Sequence, residues 1–183
     1  MKRVIKIGGR AQGAPRLVVQ IAESLRAGDT IAIVHGGGDE VSALQRRLGM
    51  EPQFLGGRRV TSVEDLEVVR MVLSGVTNKR LVARLISGGV QAVGISGEDG
   101  GLIQAHVTHA DLGRVGGEIT ADPRLILHLW HGGFVPVISP LSRDADDPNG
   151  SGLNVNGDDA AAAIAAALGA DELLLIADVP GVL

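Results

Sequence analysis

Cysteine and aromatic residues are scarce in this sequence. Its 183 residues contain no Cys, no Tyr, two Phe and one Trp. Without Cys there can be no disulfide bond, zinc–thiolate site or thiol nucleophile, and such a composition is typical of the reducing cytoplasm. With so few aromatic rings, the chain also offers few side chains on which nucleic-acid bases could stack. We therefore expect a cytoplasmic protein whose chemistry does not involve thiols.

Long apolar runs and runs of like charge are missing too. The chain starts Met1-Lys2-Arg3 and contains no apolar segment as long as a signal-peptide core or a membrane span. Its formal net charge is −4, without the basic stripe of a nucleic-acid binder. We expect a protein that binds neither membranes nor nucleic acid. The hydrophobic content of 45% is enough for a packed core.

Lysine occurs at only three positions, which are 2, 6 and 79. Lys6 lies in Val4-Ile5-Lys6-Ile7, a strand-like run that ends at Gly8-Gly9. If this strand is buried on both faces, a lysine is tolerated only near its end, where the ammonium reaches a polar site. The alternative is an edge strand whose lysine faces solvent.

Glycine is abundant, with 27 residues, and it clusters where predicted elements end. After a β-branched strand pattern at 30–35 come Gly36-Gly37-Gly38 and a helical pattern through about Leu48. A strand, a glycine turn and a helix N-terminus together present backbone N–H groups to an anion. Glycine permits the close approach and the positive φ angles that such a site needs. The alternative is an ordinary tight connection between a strand and a helix.

Strand and helix patterns alternate along the chain with short connections. This alternation predicts an α/β fold, namely an αβα sandwich around a central, mainly parallel sheet. Loops are predicted at 113–120 and 141–152, a loop or short hairpin at 51–60, and a helical stretch from Ser62 to about residue 86 with a break at 75–78. Pro136 suggests an edge position or an irregular geometry for its strand. The predicted strands are 4–7, 30–35, 91–96, 102–107, 134–139 and 172–177, and the predicted helices start near Pro15, Val41, Ser62, Pro123 and Ala160.

The carboxyl ends of parallel strands meet along one edge of a sheet, where such folds bind ligands. The residues predicted on this rim are Lys6, Gly8, Gly9, Gly36, Gly37, Gly38, Ser96, Gly97 and Asp178. An arginine pair at 58–59 and an Asn/Asp cluster at 154–159 add polar groups, although one of the latter would be an ordinary helix cap. The combination suits phosphoryl transfer, in which a protein mainly positions groups and neutralises charge.

Other site types find no support in the sequence. No G-x-x-x-x-G-K-[ST] or G-x-G-x-x-G motif occurs, so neither a P-loop nor a Rossmann dinucleotide site is indicated. No G-x-S-x-G nucleophile elbow occurs either. His106 and His109 are three residues apart, but no third ligand cluster accompanies them, so we expect no protein metal site.

Seven short motifs follow one another along the chain: Lys6-Ile7-Gly8-Gly9, Val34-His35-Gly36-Gly37-Gly38, Gly57-Arg58-Arg59-Val60-Thr61, Thr77-Asn78-Lys79, Gly94-Ile95-Ser96-Gly97-Glu98-Asp99-Gly100-Gly101, Asn154-Val155-Asn156-Gly157-Asp158 and Asp178-Val179-Pro180-Gly181. In this order they resemble the motifs of the amino acid kinase family, and the resemblance covers essentially the whole chain. It implies an enzyme of arginine biosynthesis that uses ATP and Mg²⁺ to phosphorylate the side-chain carboxylate of N-acetyl-L-glutamate.

Two alternatives stay open at this stage. Arg10-Ala11-Gln12-Gly13 departs from the pattern of the glutamate members and leaves room for a kinase of N-blocked α-aminoadipate in lysine biosynthesis. Arg59-Val60-Thr61 and Asn154-Val155-Asn156 favour the glutamate enzyme. The other alternative is a module that binds an acyl amino acid without catalysis.

The resemblance also implies roles for individual residues. The two catalytic residues are Lys6, which stabilises the transferring phosphoryl group, and Asp158, which organises the catalytic lysines. The residues implied in substrate binding are Gly36, Gly37, Arg59 and Asn154, with Arg59 on the α-carboxylate and Asn154 near the acetamido group. The glycines implied along the phosphate path are Gly8, Gly9 and Gly38.

Finally, the resemblance implies how the chain is organised. Residues 1–170 match an N-terminal lobe that binds the acyl amino acid and dimerises, and residues 171–183 match the beginning of a nucleotide-binding lobe. We expect a homodimer through the helices between Ser62 and Ser87. Most of the nucleotide lobe and a second catalytic lysine find no counterpart in the sequence, so we expect these 183 residues alone to be weakly active or inactive.

Overall fold

The computed structural model describes residues 1–147 and 149–177, so the motif Asp178-Val179-Pro180-Gly181 lies outside the described residues. The strands are β1 (Lys2–Ile7), β2 (Thr30–His35), β3 (Phe54–Leu55), β4 (Arg58–Arg59), β5 (Ala92–Ser96), β6 (Ile103–Val107), β7 (Val115–Ala121), β8 (Val135–Ser139), β9 (Leu141–Asp144), β10 (Leu153–Val155) and β11 (Glu172–Ile176). The α-helices are α1 (Leu17–Arg26), α2 (Gly38–Arg47), α3 (Val63–Arg70), α4 (Asn78–Ser87), α5 (Arg124–His131) and α6 (Gly157–Leu168). A π-helical segment, Met71–Thr77, joins α3 to α4, and short 3₁₀ turns lie at Arg10–Gly13, Asp99–Gly101 and Ala110–Leu112.

A five-stranded parallel sheet forms the centre of the fold, in the order β11-β1-β2-β8-β5. Because side chains alternate between the two faces of a strand, Ile31 and Ile33 of β2 pack with α1 and α4, whereas Ala32 and Val34 pack with α5 and α6. All four side chains are fully buried. Helices therefore cover both faces, and the predicted αβα sandwich with a mainly parallel sheet is confirmed.

β1 and β8 are both interior strands of this sheet. β1 lies between β11 and β2, which rules out the alternative of an edge-strand lysine at position 6. β8 lies between β2 and β5, so of the two alternatives suggested by Pro136 the edge position is wrong. Val135 donates its N–H to Gln91 O on the β5 side, and the nitrogen of Pro136 therefore faces β2. Pairing with β2 begins only at Val137, so the missing N–H of proline costs no ladder hydrogen bond there.

Four further strands, β6, β7, β9 and β10, close into a small barrel beside the sheet. β7 covers most of 113–120 and β9 lies within 141–152, so the prediction of loops without strands in both segments is wrong. The glycines that suggested a connection are packing residues, because a Cβ on Gly116 would lie 2.8 Å from both Ala105 Cβ and Val155 Cγ1. β9 is anchored by Asp144, which is buried and lies 3.0 Å from Nη2 of Arg114.

The helical stretch predicted after residue 61 is continuous. Ser62 and Asp65 form the capping box that begins α3, as their spacing predicts. The predicted break is the π-helical segment, in which the chain remains helical. Its inner side meets the sheet through Ser74, whose hydroxyl lies 2.7 Å from that of the fully buried Ser139. Among the described residues, no helix has the length and apolar character needed to cross a membrane.

Candidate active site

A cavity of about 250 Å³ lies where β2 ends and where α2 and α6 begin. Its walls are the glycine turn after β2, the antiparallel hairpin of β3 and β4, and the segment from β10 to α6. The predicted site residues in this wall are Gly36, Gly37, Gly38, Arg59 and Asn154. The remaining predicted residues, Lys6, Gly8, Gly9 and Asp158, lie beside the cavity rather than in its wall. The structure thus gathers the predicted residues around one concave surface.

The N-terminus of α2 has no side-chain cap. Gly37 is the N-cap residue, and no side chain accepts a hydrogen bond from the first turn. The N–H of Gly36 donates to Ile7 O at 2.9 Å, so this N–H is not available to a ligand. The N–H groups of Gly37, Gly38 and Asp39, in contrast, find no acceptor within residues 1–147 and 149–177. Open N–H groups at the positive end of a helix dipole can hold an anion.

The two glycine turns at the ends of β1 and β2 touch through their backbones. A Cβ on Gly9 would lie 3.4 Å from Gly37 Cα, and a Cβ on Gly36 would lie 3.4 Å from Gly9 N. Gly37 has no room for a side chain, because its Cβ would lie 2.8 Å from Leu73 Cδ2 and 3.3 Å from Thr77 Cγ2. Glycine at these positions therefore permits the close approach of the two turns and of the π-helical segment.

Lys6 reaches from β1 to the start of α6. Its Nζ lies 3.0 Å from Oδ1 of Asp158, and its side chain is 17% exposed, whereas that of Asp158 is half exposed. The lysine Cε would lie 3.5 Å from a Cβ on Gly157, a residue of the cavity wall. The ammonium is thus held between a carboxylate and the cavity, at the end of an interior strand.

One member of the Asn/Asp cluster is the helix cap. Asn156 Oδ1 accepts hydrogen bonds from the N–H groups of Asp158 at 2.8 Å and Asp159 at 3.3 Å. Asp159 also lies 3.2 Å from Nη2 of Arg58, which ties the β3–β4 hairpin to α6. The capping explanation therefore accounts for Asn156 and leaves Asn154 and Asp158 for other roles.

Arg59 is fixed at the cavity wall by three acceptors on α2. Its Nη1 donates to Gln45 Oε1 at 2.5 Å, and its Nη2 donates to Gly38 O and Ser42 Oγ, each at 2.8 Å. The guanidinium carbon lies 4.8 Å from the ring centroid of Phe54, a cation–π distance. Burial lowers the pKa of Arg59, but an arginine remains charged in proteins. Because a guanidinium has five N–H donors, donors remain for an anionic ligand.

Asn154 lines the cavity, and its amide oxygen is not engaged by the described residues around it. Its Nδ2 donates to Thr61 Oγ1 at 3.2 Å, and the Thr61 hydroxyl donates to Arg59 O at 3.0 Å. In the part of the chain that the structure describes, no donor contacts the Asn154 amide oxygen. This oxygen is therefore an acceptor available to an N–H group of a ligand.

Sequence reasoning missed the residues that hold Arg59 in place. Ser42 and Gln45 are buried and lie on the same face of α2 as Gly38. Their spacing could have revealed them, because positions 38, 42 and 45 are four and then three residues apart and therefore share one helix face. Polar residues on an otherwise buried face point to a polar partner across from it.

A second missed group lies behind the glycine turn. His35 is fully buried at the end of β2, and its Nδ1 lies 3.0 Å from Gly36 O. Burial lowers the pKa of His35 from 6.5 to about 4, although the hydrogen bond to Gly36 opposes this shift. The imidazole is therefore neutral at physiological pH. His35 stands inside one of the quoted motifs, but nothing in its spacing indicated a role.

Ser96 and Gly97 were predicted on the same rim, but they do not line the cavity. Gly97 donates its N–H to Ser139 O at 3.0 Å, and a Cβ on Gly97 would lie 2.1 Å from Leu141 O. Gly97 thus serves the close approach of β5 to the beginning of β9. Asp178, also predicted on this rim, lies outside the described residues.

The described residues contain no group of three or more His, Cys, Asp or Glu side chains that could hold a metal ion. His106, which the spacing with His109 singled out, pairs with Asp146 at 2.9 Å, and the hydrogen bond raises the pKa of His106.

Comparison with known proteins agrees with the motif order. The model of the amino acid kinase family matches residues 1–183. Acetylglutamate kinase of Methanopyrus kandleri is 46% identical over 98% of this chain and 72% of its own length, and that of Ruegeria pomeroyi is 44% identical over 98% of this chain and 63% of its own length. The crystal structure of smu.665 from Streptococcus mutans UA159 matches with a TM-score of 0.92 and 31% identity over all of this chain and 74% of that one. The chain thus spans roughly two thirds of the length of these relatives.

Proposed function

Because this chain belongs to the amino acid kinase family, we propose that the protein containing it transfers the γ-phosphoryl group of ATP to the side-chain carboxylate of N-acetyl-L-glutamate, a step of arginine biosynthesis. The names of the two curated relatives support this substrate. One observation carries the proposal: a single cavity joins the uncapped N-terminus of α2 and the start of α6, which Lys6 reaches, to the fixed guanidinium of Arg59. The first end suits a phosphoryl group in transfer, and the second suits a carboxylate.

The reaction forms a bond between an acceptor carboxylate oxygen and the γ-phosphorus of ATP. It breaks the bond from that phosphorus to the β–γ bridging oxygen, whose electron pair leaves with ADP. A protein catalyses such a transfer mainly by positioning two anionic groups and by neutralising charge on the transferring oxygens. No side chain has to form a covalent intermediate.

We assign the reacting end of the site to Lys6 and the glycine turns. The ammonium of Lys6 neutralises charge that develops on the phosphoryl oxygens, and Asp158 at 3.0 Å orients this ammonium. The open N–H groups of Gly37 and Gly38 hold the acceptor carboxylate and the arriving phosphoryl oxygens. We place Gly8-Gly9 along the path of the phosphoryl group, because Gly9 contacts Gly37. Gly36 contributes its backbone surface rather than its N–H.

We assign the other end of the acceptor to Arg59 and Asn154. The remaining donors of the Arg59 guanidinium bind the α-carboxylate, and the open amide oxygen of Asn154 accepts the acetamido N–H. Both side chains are held by neighbours before any ligand binds, through Gln45 and Thr61 among others. Such preorganisation lowers the entropic cost of binding.

ATP is a substrate in this proposal, and Mg²⁺ accompanies it. The uncapped N-terminus of α2, which lies in the cavity wall, fits a phosphoryl group. Mg²⁺ prefers phosphate oxygens and water, so it requires no cage of protein ligands. We propose that residues 1–170 form the lobe for the acyl amino acid and that residues 171–183 begin the lobe for the nucleotide.

We further propose a cytoplasmic homodimer that forms through the helices between Ser62 and Ser87. Four apolar side chains on this stretch, Val63, Met71, Val76 and Ile86, are each more than half exposed. Apolar side chains in such a position favour contact with another protein surface. Sedimentation of the wild type and of Val76→Glu tests this proposal, since only the wild type should sediment as a dimer.

A hydroxamate assay on the complete protein tests the proposed reaction. The acceptors are N-acetyl-L-glutamate, N-acetyl-α-aminoadipate, aspartate and carbamate, each with Mg·ATP. We expect the highest kcat/KM for N-acetyl-L-glutamate, and a preference for the longer aminoadipate would refute the substrate. Calorimetry on the 183-residue chain gives an independent reading: tight binding of N-acetyl-L-glutamate combined with no turnover in the complete protein would instead indicate a binding module.

A further inference from the structure

Three polar side chains without a role in the proposed reaction lie behind the glycine turn. His35 and Asn78 are fully buried, and Gln12 is 7% exposed. Burying polar groups is costly unless they are hydrogen-bonded. All three are bonded: Gln12 and His35 contact the carbonyl oxygen of Gly36, and Asn78 contacts the other ring nitrogen of His35.

Two of these side chains hold the carbonyl oxygen of Gly36. His35 Nδ1 lies 3.0 Å from this oxygen, and Gln12 Nε2 lies 2.9 Å from it. Because a carbonyl oxygen only accepts hydrogen bonds, both nitrogens must donate. The two lone pairs of the oxygen are thereby both used.

Because the peptide group is rigid, fixing the carbonyl oxygen of Gly36 also fixes the direction of the Gly37 N–H. The C=O of Gly36 and the N–H of Gly37 belong to one planar trans peptide, so they point in opposite directions. Holding the oxygen from behind therefore directs the Gly37 N–H to the front, where Gly37 lines the cavity. Glycine flanks this peptide on both sides, and glycine restricts φ and ψ less than any other residue. Without the two donors, the peptide would be free to rotate and turn its N–H away.

Asn78 determines which nitrogen of His35 carries the proton. Its Nδ2 donates to Val137 O at 2.9 Å and lies 3.1 Å from His35 Nε2, while its Oδ1 accepts from Lys79 Nζ at 3.0 Å. The carbonyl on one side and the ammonium on the other fix the orientation of the amide. An Nδ2 donor in this position requires His35 Nε2 to accept, which leaves the proton on Nδ1.

The neighbouring strand makes room for this arrangement. A Cβ on Gly94 would lie 1.9 Å from Asn78 Oδ1 and 2.7 Å from Lys79 Nζ. Lys79 also donates to Gly94 O at 2.9 Å. A glycine in the middle of β5 is unfavourable for the strand itself, so its place here is explained by the amide and the ammonium that it admits.

We propose that His35 and Gln12 are positioning residues that aim the Gly37 N–H at an oxygen of the ligand, and that Asn78 selects the histidine tautomer that this requires. The identity of the ligand rests on the proposed function. The direction of the Gly37 N–H does not rest on the proposed function, because it follows from contacts within the protein. His35 and Gln12 are not catalytic residues, since both act through the peptide group between Gly36 and Gly37.

Two substitutions of the same histidine separate positioning from simple stability. His35→Asn places an amide nitrogen near the position of Nδ1, so the donor to Gly36 O is kept. His35→Gln places its amide near Nε2, so the contact with Asn78 is kept and the donor to Gly36 O is lost. With the complete protein, we expect kcat/KM for the acceptor to stay within about threefold in His35→Asn and to fall at least about tenfold in His35→Gln, an amount equal to one hydrogen bond of ordinary strength.

Gln12→Met provides a second, independent variant, because it keeps the length of the side chain and removes the donor. It should lower kcat/KM in the same direction as His35→Gln. Ile21→Ala, on the buried face of α1, is the control for lost stability, and it should alter neither kcat nor KM at temperatures where it is folded. Equal losses in both histidine variants, or no loss in Gln12→Met, would overturn the proposal.

A readout on the chain without substrate distinguishes this proposal from the proposed function. Nitrogen-15 spectra should show a protonated Nδ1 and an unprotonated Nε2 in His35, and the Gly37 amide signal should be sharp in the wild type and broadened in His35→Gln. A protonated Nε2 would refute the positioning role even if the kinase activity is as proposed. Conversely, a failure to phosphorylate N-acetyl-L-glutamate would leave these spectra unchanged.

Discussion

Acidification should destabilise this fold through His35. The side chain is fully buried and burial lowers its pKa to about 4, whereas an unfolded histidine titrates near 6.5. Below the unfolded pKa, the unfolded state therefore binds a proton that the folded state excludes. The stabilisation is fully present above pH 6.5 and is lost as the pH falls toward 4. Protonation would also place an N–H of the ring against the donor amide of Asn78.

The size of the effect follows from the two pKa values. Since a tenfold change in proton affinity is worth about 1.4 kcal/mol, the whole difference amounts to about 3 kcal/mol, of which about 2 kcal/mol is lost by about pH 5. With a urea dependence of about 2 kcal/mol per molar, the unfolding midpoint should fall by about 1 M between about pH 7.5 and about pH 5. This range lies above the usual titration of carboxylates, so the histidine contribution can be read without them.

Urea unfolding of the wild type and of His35→Asn measures this directly. The variant should be less stable at about pH 7.5, but its stability should depend less on pH by about 2 kcal/mol over the same range. His106→Gln is the matched control: Asp146 raises the pKa of His106, so this residue stabilises the fold as the pH falls and cannot cause the predicted loss. An equal pH dependence in the wild type and in His35→Asn would refute the reasoning.

Four further substitutions test the site and the barrel. Lys6→Met should lower kcat at least about a hundredfold while calorimetric binding of N-acetyl-L-glutamate persists; retained turnover would exclude Lys6 as the phosphoryl-stabilising group. Gly37→Val should raise the KM of the acyl amino acid and lower kcat more than it changes nucleotide affinity, because its Cβ meets Leu73 at 2.8 Å; an effect on nucleotide binding alone would contradict our assignment. Arg59→Lys should raise that KM about tenfold with kcat nearly unchanged, since lysine keeps the charge but loses the planar fork; an unchanged KM would count against it. Asp144→Ala should lower the free energy of unfolding by about 3 kcal/mol in urea because it leaves the Arg114 charge without its buried partner; a change near zero would show that the pair contributes little.

The central sheet could be predicted because local sequence and tertiary position agree there. β-Branched residues form β2, and the alternation of strands with helices indicates which elements are parallel. The barrel strands could not be predicted in the same way. In β7 the sequence Val115-Gly116-Gly117 has glycines where a strand normally has β-branched residues, because the neighbouring barrel strands leave no room for larger side chains. Only the three-dimensional packing reveals this requirement.

The candidate site likewise contains some residues that the sequence reveals and others that only the structure reveals. Residues that carry charge or a free backbone group at the end of an element, such as Lys6 and Gly37, are visible as local oddities in the sequence. Residues that hold site groups in place are harder to recognise. Gln45 is distant from Arg59 in the sequence and meets it only through the packing of the fold. His35 is next to Gly36 in the sequence, but it resembles an ordinary core position. A pattern in the sequence can identify a glycine turn, but it does not show which buried donor holds its carbonyl group.

The π-helical segment limits insertions and deletions between α3 and α4. In an α-helix each residue turns the chain by about 100°, and a π-helical turn contains an extra residue relative to its α-helical neighbours. Deleting one residue between 71 and 77 would restore a regular α-helix and rotate all of α4 by about that angle relative to α3. Asn78 would then leave the carbonyl of Val137, and Lys79 that of Gly94. Proteins that share this arrangement should therefore vary in sequence along the segment but rarely in its length.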